Sequence, residues 1–132
     1  MIDNPKHGWC NFQLGDFKGH PSYLTDVPLD LLDAFIDYHI KGTGTAWFDE
    51  EGADFTLVIN PYSIFIIAER YETVLYEFPD VRIEELEKEL INDIESDLNE
   101  WMYFIPTDEW EEIIEHRNTI RQKIAKLKKL IK

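Results

Sequence analysis

Between Ala53 and Phe78 the chain is written as strands. Ala53, Phe55, Leu57 and Ile59 alternate with Asp54, Thr56, Val58 and Asn60, the period-two pattern of a half-buried strand. Ser63 to Glu69 does not alternate in this way. Ile64, Ile66 and Ala68 face one side and Phe65 and Ile67 the other, which predicts an interior strand covered on both faces. Asn60-Pro61 and Tyr71-Glu72 supply the reversals, because proline fixes φ and cannot donate to a ladder. With Gly44 to Asp49 placed before the Glu50-Glu51-Gly52 loop, the pattern predicts an antiparallel meander with strands near 45–49, 53–60, 63–69 and 72–78.

The periodicity elsewhere is helical. Thr25-Asp26-Val27-Pro28 reads as a helix start, Leu31, Leu32, Phe35, Ile36 and His39 recur at helical spacing, and Lys41-Gly42 supplies the stop. After Phe78-Pro79, with Asp80 as its expected cap, one long helix is predicted over residues 82–104, on the seam Ile83, Leu86, Leu90, Ile94, Leu98, Trp101 and Ile105. Ile105-Pro106-Thr107-Asp108 breaks it. Asp108 with Glu111 forms a capping box for a final helix, whose Ile113, Ile120, Ile124, Leu127 and Ile131 give the seam of a second member of an antiparallel pair. The basic end of that helix is expected to dock on the acidic helix before it.

Cys10, Phe12 and Leu14 alternate with Asn11 and Gln13, which predicts an opening strand joining one edge of the meander. No linker, repeat or low-complexity segment divides the chain. The fold expected is therefore one α+β domain, residues 1–132: a meander of four to five strands covered by one short helix and a C-terminal pair of long antiparallel helices.

Composition narrows the class. With 44% hydrophobic and 14% aromatic residues among 132, the chain is too apolar to be disordered. Cys10 is the only cysteine, no apolar run resembles a signal peptide, and no stretch approaches a membrane span, so a cytoplasmic protein is expected. Net charge is −14 and unevenly distributed. Arg117, Arg121, Lys123, Lys126, Lys128, Lys129 and Lys132 leave only six bases against 27 acids in residues 1–116, a charge of −21. Such a body repels nucleic acid and anionic membrane and attracts a cationic protein surface.

Motifs for chemistry do not survive inspection. His7 and His20 have no cysteine or second histidine at ligand spacing, and His39 sits where a hydrogen-bonded boundary histidine is the ordinary explanation. Glu112-Ile-Ile-Glu115-His116 approaches an inverted zinc-protease motif but has glutamate where histidine is needed, so it reads as helix surface. Asp49, Glu50, Glu51 and Asp54 lack the spacing of a calcium-binding loop. No nucleophile elbow or phosphate-cradling loop is present, and Cys10 reads as a small buried hydrophobe. No cofactor or metal is expected. Trp47 has two readings: an exposed interface anchor beside the acidic hairpin, or a ring packed under the N-terminal strand or a helix.

The stretch SYLTDVPLDLLDAF followed by FDEEGADFTLVI, within residues 9–69, resembles the small acidic α+β immunity proteins that protect bacteria against polymorphic and contact-dependent toxins. The resemblance implies a stoichiometric inhibitor that binds a cognate basic toxin domain and does no chemistry. Trp47, Asp49, Glu50, Glu51 and Asp54 are the expected partner-binding residues, on the physical ground that a loop tip presents carboxylates at little conformational cost. Two alternatives stand beside it. One is an acidic adaptor that homodimerises through apolar surface left over on the C-terminal helices; the other is a small enzyme built on dispersed carboxylates such as Asp16, Asp49 and Asp54.

Overall fold

The computed structural model, which describes residues 1–131, runs β1 (Ile2–Lys6), β2 (Trp9–Leu14), β3 (Phe17–Gly19), α1 (Val27–Lys41), β4 (Gly44–Asp49), β5 (Asp54–Ile59), β6 (Ile64–Glu69), β7 (Thr73–Glu77), α2 (Ile83–Glu95), α3 (Leu98–Trp101) and α4 (Trp110–Ile131). The class is α+β. The meander forms as the alternation predicts, in the order β4-β5-β6-β7, with every pair antiparallel. Asn60 makes the reversal that its position implies: its Oδ1 accepts from the backbone of Tyr62 and Ser63 at 2.9 and 3.0 Å.

The expectation for the opening strand is corrected. β2 does not join an edge of the meander but is the middle of a separate antiparallel sheet, β1-β2-β3. This small sheet turns Cys10, Phe12 and Leu14 inward, as the alternation requires, and its apolar face lies against the inner face of the meander. Phe12 and Phe17 sit 5.0 and 4.9 Å from the ring of Phe55. Phe48 is 6.1 Å from Phe12 and 5.3 Å from Phe55, so four fully buried rings join the sheets. Each contributes about 1.5–3 kcal/mol by leaving water. Ser22 stitches the two layers together: it is buried, bridges Trp9, and donates its backbone N–H to Asp49 O at 2.9 Å.

Helix α1 covers the rest of the inner face. Asp26 caps it by accepting from Leu29 N–H, and Gly42 ends it in the left-handed region at φ 88° with its N–H on Tyr38 O. Contact with β4 is so close that a Cβ on Gly44 would lie 1.8 Å from Ala34 O, which leaves glycine as the residue that fits.

Four expectations about the C-terminal half are corrected. The long helix over 82–104 is two helices, α2 and α3, separated at Ser96 and Asp97, whose φ of −138° leaves the helical region. Arg82, not Asp80, stands at the start of α2, with no side-chain cap. α4 starts at Trp110, and the side-chain cap formed there is Thr107 Oγ1 on Glu109 N–H rather than an Asp108–Glu111 box. The main partner of α4 is α1. His116 reaches Asp26 and Lys123 reaches Asp33, a step of seven residues in the same sense along both helices, so these two run parallel. Basic residues of α4 thus divide between neighbours, Lys123 on Asp33 and Lys128 on Glu95 of α2, each at 2.8 Å. Lys132 lies outside the described residues. α2 meanwhile holds the Met1 ammonium between Glu89 and Asp93, at 3.0 and 2.8 Å.

Among the described residues, no helix is long and apolar enough to cross a membrane.

Candidate functional site: the open face of the meander

Alternation sends one set of meander side chains to α1 and the small sheet and the other set outward. The register assembles the outward set into three rows running across the strands. Trp47, Thr56, Ile67 and Leu75 make one row; Thr45, Val58, Phe65 and Glu77 make the next. The third, at the β4–β5 turn, is Asp49, Asp54, Glu69 and Thr73. The outward face of β6 is apolar, as its continuous run predicts, yet it is not covered: Phe65 and Ile67 are only partly buried, against complete burial of Ile66. The expectation of cover on both faces is therefore corrected. α1 and the second sheet bind the inner face, and α2, α3 and α4 pack behind them, against β1 and α1.

Of the two readings of Trp47, the exposed one holds: the ring is 48% exposed, and Leu75, three strands away in the same row, is 54% exposed. Val58, Phe65 and Ile67 lie between and beside them, half-buried. Together they form a contiguous apolar strip, which marks a contact surface more strongly than scattered exposed residues do.

The hairpin residues separate into two groups. Asp49 and Asp54 are directly opposed across β4 and β5, and Glu69 extends the row onto β6. Asp49 Oδ1 accepts from Glu51 N–H, and Glu69 Oε2 accepts from the Thr73 hydroxyl at 2.8 Å, but among the described residues no cation pairs with any of the three. Glu51 is exposed at the tip, held at φ 57°. Glu50 points elsewhere. Its carboxylate takes Arg70 Nε and Nη2 at 3.2 and 3.0 Å and the backbone N–H of His20 at 2.8 Å. Arg70 also donates to Lys18 O and lies over the Phe17 ring at 5.0 Å. Glu50 therefore straps the hairpin to the second sheet and is not available as a free acid, whereas Trp47, Asp49, Glu51 and Asp54 are.

Other sites weighed from sequence resolve as structure. Cys10 is buried, and desolvation, with the charge of Asp3, pushes its thiol well above the usual range, so it remains protonated and inert. His39 Nε2 lies 2.7 Å from Glu87 Oε2 at the boundary of α1 and α2. His20 stacks on Trp9. The reading of Glu112 to His116 as helix surface is corrected at Ile113 and His116: both are buried, and His116 bonds Met102 O and Asp26. Asp16 lies in the turn between β2 and β3, on the other sheet from Asp49 and Asp54. Two wide clefts, of about 770 and 910 Å³, are lined by none of these three. Among the described residues, no three histidine, cysteine or acidic side chains converge as a metal site would need. The apolar side chains of α4 that an adaptor would present, Ile113, Ile120, Ile124 and Leu127, are buried.

Compared with protein-family models, with curated proteins and with solved structures, the chain has no significant match.

Proposed function

We propose that this chain is a stoichiometric inhibitor of the immunity-protein kind, which neutralises a cognate toxin domain by occupying its basic surface. The observation that carries the reading is the open meander face, where an exposed tryptophan stands beside carboxylates that pair with no cation among the described residues. Trp47 supplies a desolvated anchor, and Asp49, Glu51 and Asp54 supply charge for attraction and orientation. The −21 body adds long-range steering toward a cleft built for phosphates. No chemistry is required of the chain, because occupancy alone excludes the toxin's substrate. The Glu50–Arg70 strap keeps the hairpin in one shape, which lowers the entropy lost on binding.

Co-expression with the product of a toxin-like reading frame beside the gene tests this reading. The chain should restore growth, and purified protein should titrate the toxin's activity to an endpoint at one-to-one. Glu51→Lys with Asp54→Lys should slow association and flatten its salt dependence, while Trp47→Ala should mainly speed dissociation. Failure of the wild-type chain to restore growth or to bind that product defeats the reading.

A further inference from the structure

The open face has a shape as well as a charge. Its row from Trp47 to Leu75, apolar except at Thr56, crosses four strands, about 14 Å at the usual spacing between strands, which matches roughly nine or ten residues of helix. The strip is two rows wide, roughly 7 Å between rows two residues apart along a strand, comparable to the stripe one helix presents. Apart from Glu77, at the β7 end of the second row, the acids of this face gather on one side of it. Asp49, Asp54 and Glu69 line one long side, toward the β4–β5 turn.

From this arrangement we propose that the face receives one amphipathic helix of a partner protein, with an apolar stripe on the strip and lysine or arginine along the flank that meets the Asp49–Asp54–Glu69 row. The inference rests on the reading above that this face binds a protein, and narrows it to the element that docks. Charge complementarity selects the basic flank, since three adjacent carboxylates without a cation repel one another until a cationic partner arrives. It also disfavours face-to-face pairing with a second copy of this chain, whose meander brings the same carboxylates. The dimensions select a helix. In two-layer domains an apolar sheet face is buried by helices, and on this face that layer is missing.

The probe is an 18-residue peptide of leucine and lysine, patterned to present leucine along one helical face, with a leucine–glutamate peptide of the same pattern as control. The lysine peptide should bind the full chain one-to-one and become helical, with amide shifts concentrated on β4 to β7 around Trp47, Ile67 and Leu75. Trp47→Ala and Leu75→Ala, both at exposed positions, should each weaken binding tenfold or more with thermal midpoints unchanged. Asp54→Lys should weaken it and flatten its salt dependence, and the glutamate peptide should not bind. Shifts spread over the acids of α2, affinities unmoved by the two alanine variants, equal binding of the glutamate peptide, or no binding of the lysine peptide would each overturn the proposal. Concentration-dependent shifts at the same residues without peptide would assign the face to a second copy and overturn it too. The toxin experiment stands apart, because inhibition that persists without peptide binding removes the docking helix and leaves the inhibitor.

Discussion

His116 Nε2 lies 2.7 Å from Asp26 Oδ2, joining the middle of the last helix to the cap of the first. The other ring nitrogen faces Met102 O, a carbonyl that can only accept, so Nδ1 carries a proton. Burial pushes the imidazole pKa down, but the hydrogen bond and charge of Asp26, with the Met102 carbonyl, outweigh it and hold the value above 6.5. The ring fastens α4, α1 and the end of α3, and in its protonated form it makes a buried ion pair with Asp26.

Asp26→Asn keeps a capping side chain and removes only the charge, so it isolates the ion pair. A folded-state pKa raised above the unfolded one makes the contribution complete below about pH 6.5 and lost as pH rises through the raised value. The variant should lose about 2 kcal/mol at pH 6, less than a fully buried pair because Asp26 is partly exposed. Urea midpoints at pH 6 and pH 9 check this, and a deficit of equal size at both would remove the imidazolium.

Glu87 is buried, with Oε2 on His39 and, among the described residues, no partner for Oε1. Burial raises its carboxyl above the ordinary 4.5, and His39 holds it partly down. His39→Ala should cost about 3 kcal/mol at pH 7 by stranding a buried charge. Because a raised acid takes up its proton first in the folded state, the deficit should shrink as pH falls toward 5. Exchanging both residues for an apolar pair, His39→Leu with Glu87→Met, should recover most of the loss in a double-mutant cycle.

Asp30 is a liability at neutral pH. Burial, then the charges of Asp26 and Asp33, push its carboxyl from 3.8 to about 6, against the lowering effect of a backbone hydrogen bond at Asp26. Ionisation therefore costs stability as pH climbs through that window. Asp30→Asn should stabilise the protein at pH 7 by about 1 kcal/mol, discounted for solvent screening and the lost favour of the helix dipole. The gain should vanish by pH 4, and calorimetry at the two pH values measures it.

Gly44→Ala should cost about 3 kcal/mol, because the added methyl overlaps Ala34 O and α1 must back away from β4. Ile66→Asp, at the fully buried centre of β6, should abolish cooperative unfolding by leaving a charge unpaired in the core. Thermal melts followed by near-ultraviolet circular dichroism distinguish both from wild type. An unchanged midpoint for Ile66→Asp would remove β6 from the interior of the sheet.

What the sequence made legible was local. Alternation placed β4 to β7 within a residue or two, and Asp26, Pro28 and Gly42 bounded α1, because the forces behind those patterns act over a few residues. The break after Glu95 was hidden, since Ile94, Leu98 and Trp101 keep helical spacing through it. β1 was hidden because Asp3, Asn4 and Pro5 carry no strand alternation, although Ile2 is buried against β2 and α2. His116 looked like surface because its partner lies ninety residues away. At the candidate site, alternation set Trp47 apart from the core-facing side but left open whether the ring was covered; Ile67, Leu75 and Glu69 joined it only through cross-strand register, and Glu50 left it only through Arg70.

The phenylalanine cluster joining the two sheets also sets a timetable for synthesis. Phe12 and Phe17 leave the ribosome well before Phe48 and Phe55, the rings they are packed against. At roughly 5–20 residues per second, the small N-terminal sheet waits on the order of 2–7 s without its opposing layer. The Met1 ammonium waits longer still, until Glu89 and Asp93 have been made. This N-terminal segment is thus among the last to be locked in place, and during that interval its phenylalanines are what a nascent-chain chaperone would meet.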